Sequence, residues 1–200
     1  MTVKTIDYYF ATVSPWAYLG HARFVAMSRA AGATVRVKPM DLGEIFPLTG
    51  GLPLAKRAPP RQAYRLVELQ RFSDQLGVPL IAQPAHFPVN GNAAAALIIA
   101  ADEAAGADAA LDLAGRVGAA TWAEQRNVAD LAVLRALLAE AGLPASLVDR
   151  AADPAITARY AAYTTEALAA GVFGAPSYVI AGEVFWGQDR LDFVERRLLA

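Results

Sequence analysis

Residues 5–38, TIDYYFATVSPWAYLGHARFVAMSRAAGATVRVK, decide the fold. Thr5 to Phe10 is β-branched and aromatic, a composition that favours an extended strand. A turn follows, and then a helical pattern from about Pro15 to Ala31. Pro15 suits the first helical position, where its missing N–H costs nothing. Ser14 before it is a good N-cap, and Gly32 stops the helix. Thr34 to Lys38 alternates and reads as a second strand. Strand, helix and strand at this spacing form a βαβ unit, which requires a parallel pair.

Strands return only near the other end of the chain. Ser177 to Ile180 and Val184 to Trp186 flank Ala181-Gly182-Glu183, which reads as a tight hairpin turn. Asp189 to Leu199 is a final amphipathic helix, with Asp189 expected at its N-cap and Asp192 as the reciprocal member of a capping box. The intervening chain is helical. Asp41 to Pro60 holds glycines and prolines without periodicity and reads as a loop. Arg61 to Leu76, Asn92 to Ala105, Ala107 to Ala120 and Val128 to Ala141 carry helical patterns. Asp153-Pro154 opens a further helix to about Ala170, with Gly171 as its stop. The order is therefore βαβ, a helical block, then ββα. This is an α/β thioredoxin fold carrying a large all-helical insertion. Residues 1–40 and 171–200 are expected to form a discontinuous thioredoxin-like domain, and 41–170 the insertion and connecting helix.

Composition narrows the chemistry. The chain has no cysteine, so it forms no disulfide and does no thiol chemistry with its own atoms. Its net charge of −1, with Lys and Arg scattered, gives no basic footprint, so nucleic acid is not an expected partner. Met1 to Asp7 becomes strand-like at once, without a basic region and apolar run, which points to the cytoplasm. The apolar stretch Ala93–Ala101 is too short to span a membrane and ends at Asp102 and Glu103. His21 and His86 show no metal-ligand spacing, so no metal is expected.

Three segments carry chemistry. Ser14-Pro15-Trp16-Ala17 lies between the first strand and the first helix. A helix N-terminus offers unpaired N–H groups and partial positive charge, which stabilise a thiolate. Thioredoxin-like folds place a C-x-x-C pair here, and both cysteine positions are taken, by Ser14 and Ala17. A bound sulfur is then the natural tenant, with Ser14 donating a hydrogen bond to it. Taken alone, Ser14 is an ordinary cap. Gly174-Ala175-Pro176-Ser177 precedes the third strand. A cis peptide before Pro176 would leave the Ala175 N–H and C=O free to pair with an extended peptide. A simple strand-initiating proline is the alternative. Trp186-Gly187-Gln188-Asp189-Arg190 joins the last strand to the last helix. Its N–H groups could hold a carboxylate and Asp189 an ammonium. Lys56, Arg57 and Arg61 form a small basic cluster, either a solvated face or a carboxylate site. Asn90 or Asn92, after Phe87-Pro88, could cap the following helix.

Together these residues resemble the 2-hydroxychromene-2-carboxylate isomerases, which group with the kappa-class glutathione transferases and the DsbA-like branch of thioredoxin folds. The resemblance rests on DYYFATVSPWAYLG (7–20), VFGAPSYV (172–179) and VFWGQDRL (184–191), and extends through the insertion, including Leu76-Gly77-Val78-Pro79-Leu80. It implies a glutathione cofactor with its sulfur beside Ser14. It places the cysteinyl backbone along Ala175 and Pro176, and the γ-glutamyl group at Trp186, Gly187, Gln188 and Asp189. Arg61 falls where kappa-class relatives hold the glycyl carboxylate. In this family the thiolate is thought to add to a conjugated carbon of an opened chromene, allow rotation, and leave. Asn90, Phe87 and Trp16, with Trp122 as a further candidate, would face a small aromatic substrate. The family also implies a homodimer. The loop 43–60 departs from the isomerase pattern: an asparagine expected near Gly50-Gly51 is absent. A conjugate-forming glutathione transferase and a non-catalytic glutathione-binding or peptide-binding module are the alternative readings. A dithiol oxidoreductase is the weakest, because the chain lacks the thiols.

Overall fold

A computed structural model describes residues 4–200. Met1–Val3, with which the leader reading and the first domain begin, lie outside the described residues.

Strand β1 (Thr5–Phe10) runs into helix α1 (Pro15–Ala30) and returns as β2 (Thr34–Pro39). The two strands pair in parallel from Thr5↔Thr34 to Phe10↔Pro39. Ser14 caps α1 and Pro15 opens it, as its sequence requires. Strands β3 (Ser177–Ile180) and β4 (Glu183–Trp186) form the hairpin. Its turn has two residues, Ala181 and Gly182, both at positive φ (51° and 81°). Glu183 belongs to β4, opposite Ile180, so the turn is one residue shorter than its sequence suggests. β3 lies antiparallel to β1, giving the sheet order β2-β1-β3-β4.

Side chains alternate across this sheet as a strand demands. Ile6, Tyr8 and Phe10 of β1, with Tyr178 and Ile180 of β3, join the larger core, built with α1 and the helical block. Tyr9 and Val179 face the other way, into a smaller cluster with Met40, Ile45 and Ala167. Tyr8 is the hub of the larger core: it stacks on Tyr178 at 5.4 Å and tilts against Phe24 at 4.5 Å.

The helical block comprises α2 (Leu42–Thr49), α3 (Pro59–Leu76), α4 (Asn92–Ala105), α5 (Ala107–Trp122), α6 (Leu131–Glu140), α7 (Leu147–Ala151) and α8 (Pro154–Ala169). Several of these elements depart from the sequence reading. The 41–60 segment, expected as a loop, contains α2 and a short 3₁₀ turn at Leu54–Lys56. Asp41 starts α2 by accepting the Gly43 N–H at 2.7 Å, and the fully buried Ile45 anchors it. Tertiary burial overrides the poor helix propensity of Gly43 and Pro47. The short α7 has no sequence signature. Helix α6 starts at Leu131, behind the Asp130 cap, rather than at Val128.

The end of the chain also differs. Gln188–Arg190 forms a 3₁₀ turn, and α9 (Leu191–Leu199) begins after it. Arg190 is the N-cap residue of α9, and no side chain caps that end. Asp189 is therefore not its cap. The expected capping box is absent because Asp192 reaches across to Arg23 at 2.7 Å.

Candidate active site

A cavity of about 1000 Å³ opens between the sheet end and the helical block. The β1–α1 turn forms its floor. There Ser14 is 8 % exposed, and its Oγ accepts the Ala17 N–H at 3.3 Å. The hydroxyl hydrogen is left to donate elsewhere. Pro15 has no N–H, and the Ala17 N–H goes to Ser14. The Trp16 N–H is thus the first-turn donor without a protein partner among the described residues. Floor and helix end together present a hydroxyl donor, an amide donor and the positive end of the α1 dipole to one point.

One shoulder is the segment before β3. The Ala175–Pro176 peptide is cis. The β1–β3 pairing stops at Tyr9↔Ser177, two residues short of Ala175. No turn or loop hydrogen bond engages the Ala175 N–H or C=O among the described residues. Ser177 Oγ donates to Gly174 O at 2.8 Å, which fixes the approach. Gly174 lies against the Trp186 indole so closely that any Cβ there would collide with Nε1. Trp186 itself is 51 % exposed and packs edge-on to Phe173 at 4.8 Å.

The structure brings Ser14, Trp16, Arg61, Phe87, Asn90, Ala175 and Trp186 to this one cavity. It does not bring Pro176, Gly187, Gln188 or Asp189 to its wall. The Pro176 carbonyl accepts the Gly187 N–H at 2.9 Å, so both groups serve the fold. Gln188 is buried, with its Cβ against Gly20. Asp189 forms an ion pair with Arg190 at 2.7 Å on the surface beyond Trp186. Trp122, a candidate for the aromatic lining, is fully buried behind Phe87, 4.7 Å between ring centroids.

The opposite wall is α3 and the segment before α4. Asn90 Oδ1 accepts the Asn92 N–H at 2.8 Å, so Asn90 supports the start of α4 while its amide N–H groups stay free to donate. Tyr160 from α8 lines the same wall, and its hydroxyl reaches Asn92 Oδ1 at 3.4 Å. Burial pushes the Tyr160 hydroxyl well above the usual tyrosine range, so it stays protonated at neutral pH.

Arg57, Arg61 and Arg65 also line the cavity. Arg57 Nε donates to Leu52 O at 2.8 Å. Burial lowers the Arg57 and Arg65 guanidiniums from their ordinary value; Arg61 adds to this at Arg57, and Arg57 adds to it at Arg65. Both remain cations at neutral pH. Arg65 and Tyr160 were invisible to the motif reading. The only sequence signal for Arg65 is its position one turn beyond Arg61 on the same helix face. Lys56, counted with the basic cluster, stands outside the cavity wall.

Comparison with known proteins agrees with this geometry. The model of the DsbA-like thioredoxin domain matches residues 5–199. A protein of Sphingobium xenophagum named 2-hydroxychromene-2-carboxylate isomerase is 32 % identical over 198 residues, covering 98 % of both chains. One of the same name from Pseudomonas putida is 32 % identical over 194 residues, 95 % of this chain and 92 % of that protein. A solved 2-hydroxychromene-2-carboxylate isomerase superposes with a TM-score of 0.81 at 26 % identity, over 97 % of this chain and 94 % of that one. With near-complete coverage in sequence and structure, the chain belongs to the DsbA-like thioredoxin-domain family and, within it, to the 2-hydroxychromene-2-carboxylate isomerase family, and it is an isomerase.

Proposed function

We propose that the chain is a glutathione-dependent isomerase acting on an aromatic-derived, conjugated substrate of the 2-hydroxychromene-2-carboxylate type. The observation that carries this is the Ser14 hydroxyl at the N-terminus of α1, on the floor of a large cavity, in a chain without cysteine. The device that stabilises a thiolate is present, and the sulfur must come from outside.

The residues present fit glutathione. The Ala175 backbone edge suits its cysteinyl unit, as β-strand addition would. Arg61 on the cavity wall suits its glycyl carboxylate. The γ-glutamyl end would extend past Trp186 toward Asp189, outside the cavity proper; Gln188, implied by the family resemblance, is turned under Gly20. When bound, glutathione supplies a thiolate that adds to and leaves a conjugated carbon, so that a double bond can turn. Ser14 holds the thiolate form by donating its hydroxyl hydrogen, and the Trp16 N–H adds a second donor. Trp16 and Phe87 offer flat apolar walls to a planar substrate. Asn90 places amide donors beside them.

The test is turnover of 2-hydroxychromene-2-carboxylate followed by absorbance, with and without glutathione. Saturable dependence on glutathione, with all of it recovered free at the end, is the expected result. Glutathione recovered as a stable conjugate would make the protein a transferase instead. An undiminished rate without glutathione would end the reading.

A further inference from the structure

Arg65 lies in the middle of α3, yet it is only 8 % exposed. Its guanidinium sits 5.4 Å from the Phe87 ring centre and 5.7 Å from that of Trp122. The cation thus lies over the faces of two aromatic rings, neither of which is a hydrogen-bond acceptor of consequence. The five N–H donors lie in its plane and need acceptors of their own. Among the described residues no carboxylate stands within salt-bridge range of Arg65, and no protein acceptor takes its N–H groups. Arg126, by contrast, holds Glu124 and Glu140, and Arg150 holds Glu103 and Asp153, both at more exposed positions.

A buried, unpaired cation is costly to keep. It is worse beside another, and Arg57 adds positive charge to the same wall. An anion entering the cavity would relieve both. Arg61, one helical turn away, is already assigned to the cofactor in the reading above.

We infer that Arg65, assisted by Arg57, receives the carboxylate of a flat conjugated substrate and is the residue that selects for it. Arg65 lines the cavity wall beside Phe87, and a guanidinium offers the planar fork of donors that suits a carboxylate. This deepens the proposed function and rests on it for the identity of the cavity as the substrate site.

The experiment is a binding comparison made without glutathione, using trans-cinnamate and its neutral amide, cinnamamide, as probes in calorimetry. Wild type should bind cinnamate more tightly by roughly tenfold to a hundredfold, the span of one charge-assisted hydrogen bond. Arg65→Met keeps an unbranched chain of comparable length for packing. It should lose that preference while keeping its cinnamamide and glutathione affinities. Arg61→Met should do the reverse, weakening glutathione and sparing the cinnamate preference. Equal binding of the two probes by wild type would overturn the inference, whatever the variants do. So would an Arg65→Met protein that still prefers cinnamate, or one that loses glutathione affinity instead. Should Arg65→Met fail to fold by near-ultraviolet circular dichroism, Arg65→Lys replaces it. That variant keeps the charge without the planar fork and should show a reduced preference; an unreduced one counts against Arg65. A protein that binds no glutathione but prefers cinnamate would sink the cofactor reading and leave this one standing.

Discussion

Ser14 Oγ accepts the backbone N–H of Ala17 across 3.3 Å, so one atom both starts helix α1 and presents a hydroxyl hydrogen at the floor of the cavity. The two roles can be separated. Glycine caps a helix nearly as well as serine, within a few tenths of a kcal/mol, whereas alanine costs about 0.5–2 kcal/mol. Ser14→Ala and Ser14→Gly should therefore differ in Tm. Both lose the donor to the thiolate, worth about 1.5–3 kcal/mol, so both should lose roughly one to two decades of kcat. The bound thiol should also show weaker thiolate absorbance near neutral pH. If turnover follows Tm across the two variants, Ser14 is only a cap.

Gly91 couples the substrate wall to that floor. Its carbonyl accepts the Thr12 hydroxyl at 3.1 Å, and a Cβ at this position would collide with Thr12 Oγ1 and press on Val13. Its backbone is at φ −96°, open to any residue, so the cost of Gly91→Ala is displacement of the turn before Ser14. A stability loss of about 1–3 kcal/mol is expected from the overpacking. Misplacing the floor should lower kcat/KM by roughly tenfold to a hundredfold. Adding Thr12→Ala removes the colliding oxygen and should restore part of the activity. A double variant no better than the single would show that the two loops are not coupled through this contact.

The fold was largely legible because its signals are local: alternation in β1 and β2, Ser14-Pro15 and Asp153-Pro154 as helix starts, and Ala181-Gly182 as a turn. What escaped depends on distant partners. Helix α2 contains Gly43 and Pro47 and holds its shape through Ile45, buried against the second core with Met40 and Tyr9. The reading of the last helix failed because Asp192, offered a capping role by its spacing, meets Arg23 from α1. Within the site, the residues read from motifs divide by side chain. Ser14, Trp16 and Ala175 reach the cavity, whereas Gln188 turns under Gly20 into the core. Arg65 looks like one charge among several on α3. Its lack of a counter-ion becomes visible only once the neighbouring elements are in place.

Asp189 offers a test of how far glutathione extends. Its carboxylate is held by Arg190 at 2.7 Å, and both side chains are substantially exposed. Such a pair contributes little to stability, and Asp189 caps no helix, so Asp189→Asn should leave Tm almost unchanged. If the γ-glutamyl ammonium displaces Arg190 to reach Asp189, the variant should raise glutathione KM by roughly two- to fivefold, in line with an exposed ion pair. Its kcat at saturation should be intact, the pattern of lost uniform binding. A glutathione analogue lacking the α-amino group should bind both proteins alike. An unchanged KM would assign Asp189 to Arg190 alone and end the cofactor site at Trp186.

His21 should make stability depend on pH in a direction its surroundings fix. Its Nε2 lies 2.8 Å from the Leu111 carbonyl, which can only accept, so Nε2 carries the proton. Nδ1 then accepts from the Tyr8 hydroxyl at 3.3 Å. Burial holds the ring below its ordinary pKa of 6.5, against opposing contributions from the Leu111 carbonyl and Asp112. The unfolded chain therefore takes up the proton first. The stability from neutral His21 is complete above about pH 6.5 and is lost as pH falls from there toward the lower folded-state value. His21→Gln keeps one donor and one acceptor for the same two partners but does not titrate. Its Tm should start below that of wild type and fall less between about pH 7.5 and about pH 5, the range in which histidine changes charge. The remaining titrating groups are common to both proteins, so the difference in slope isolates His21. Parallel Tm profiles would mean that the ring accepts its second proton as readily in the folded protein as in the unfolded chain, which the burial beside Tyr8 and Leu111 does not allow.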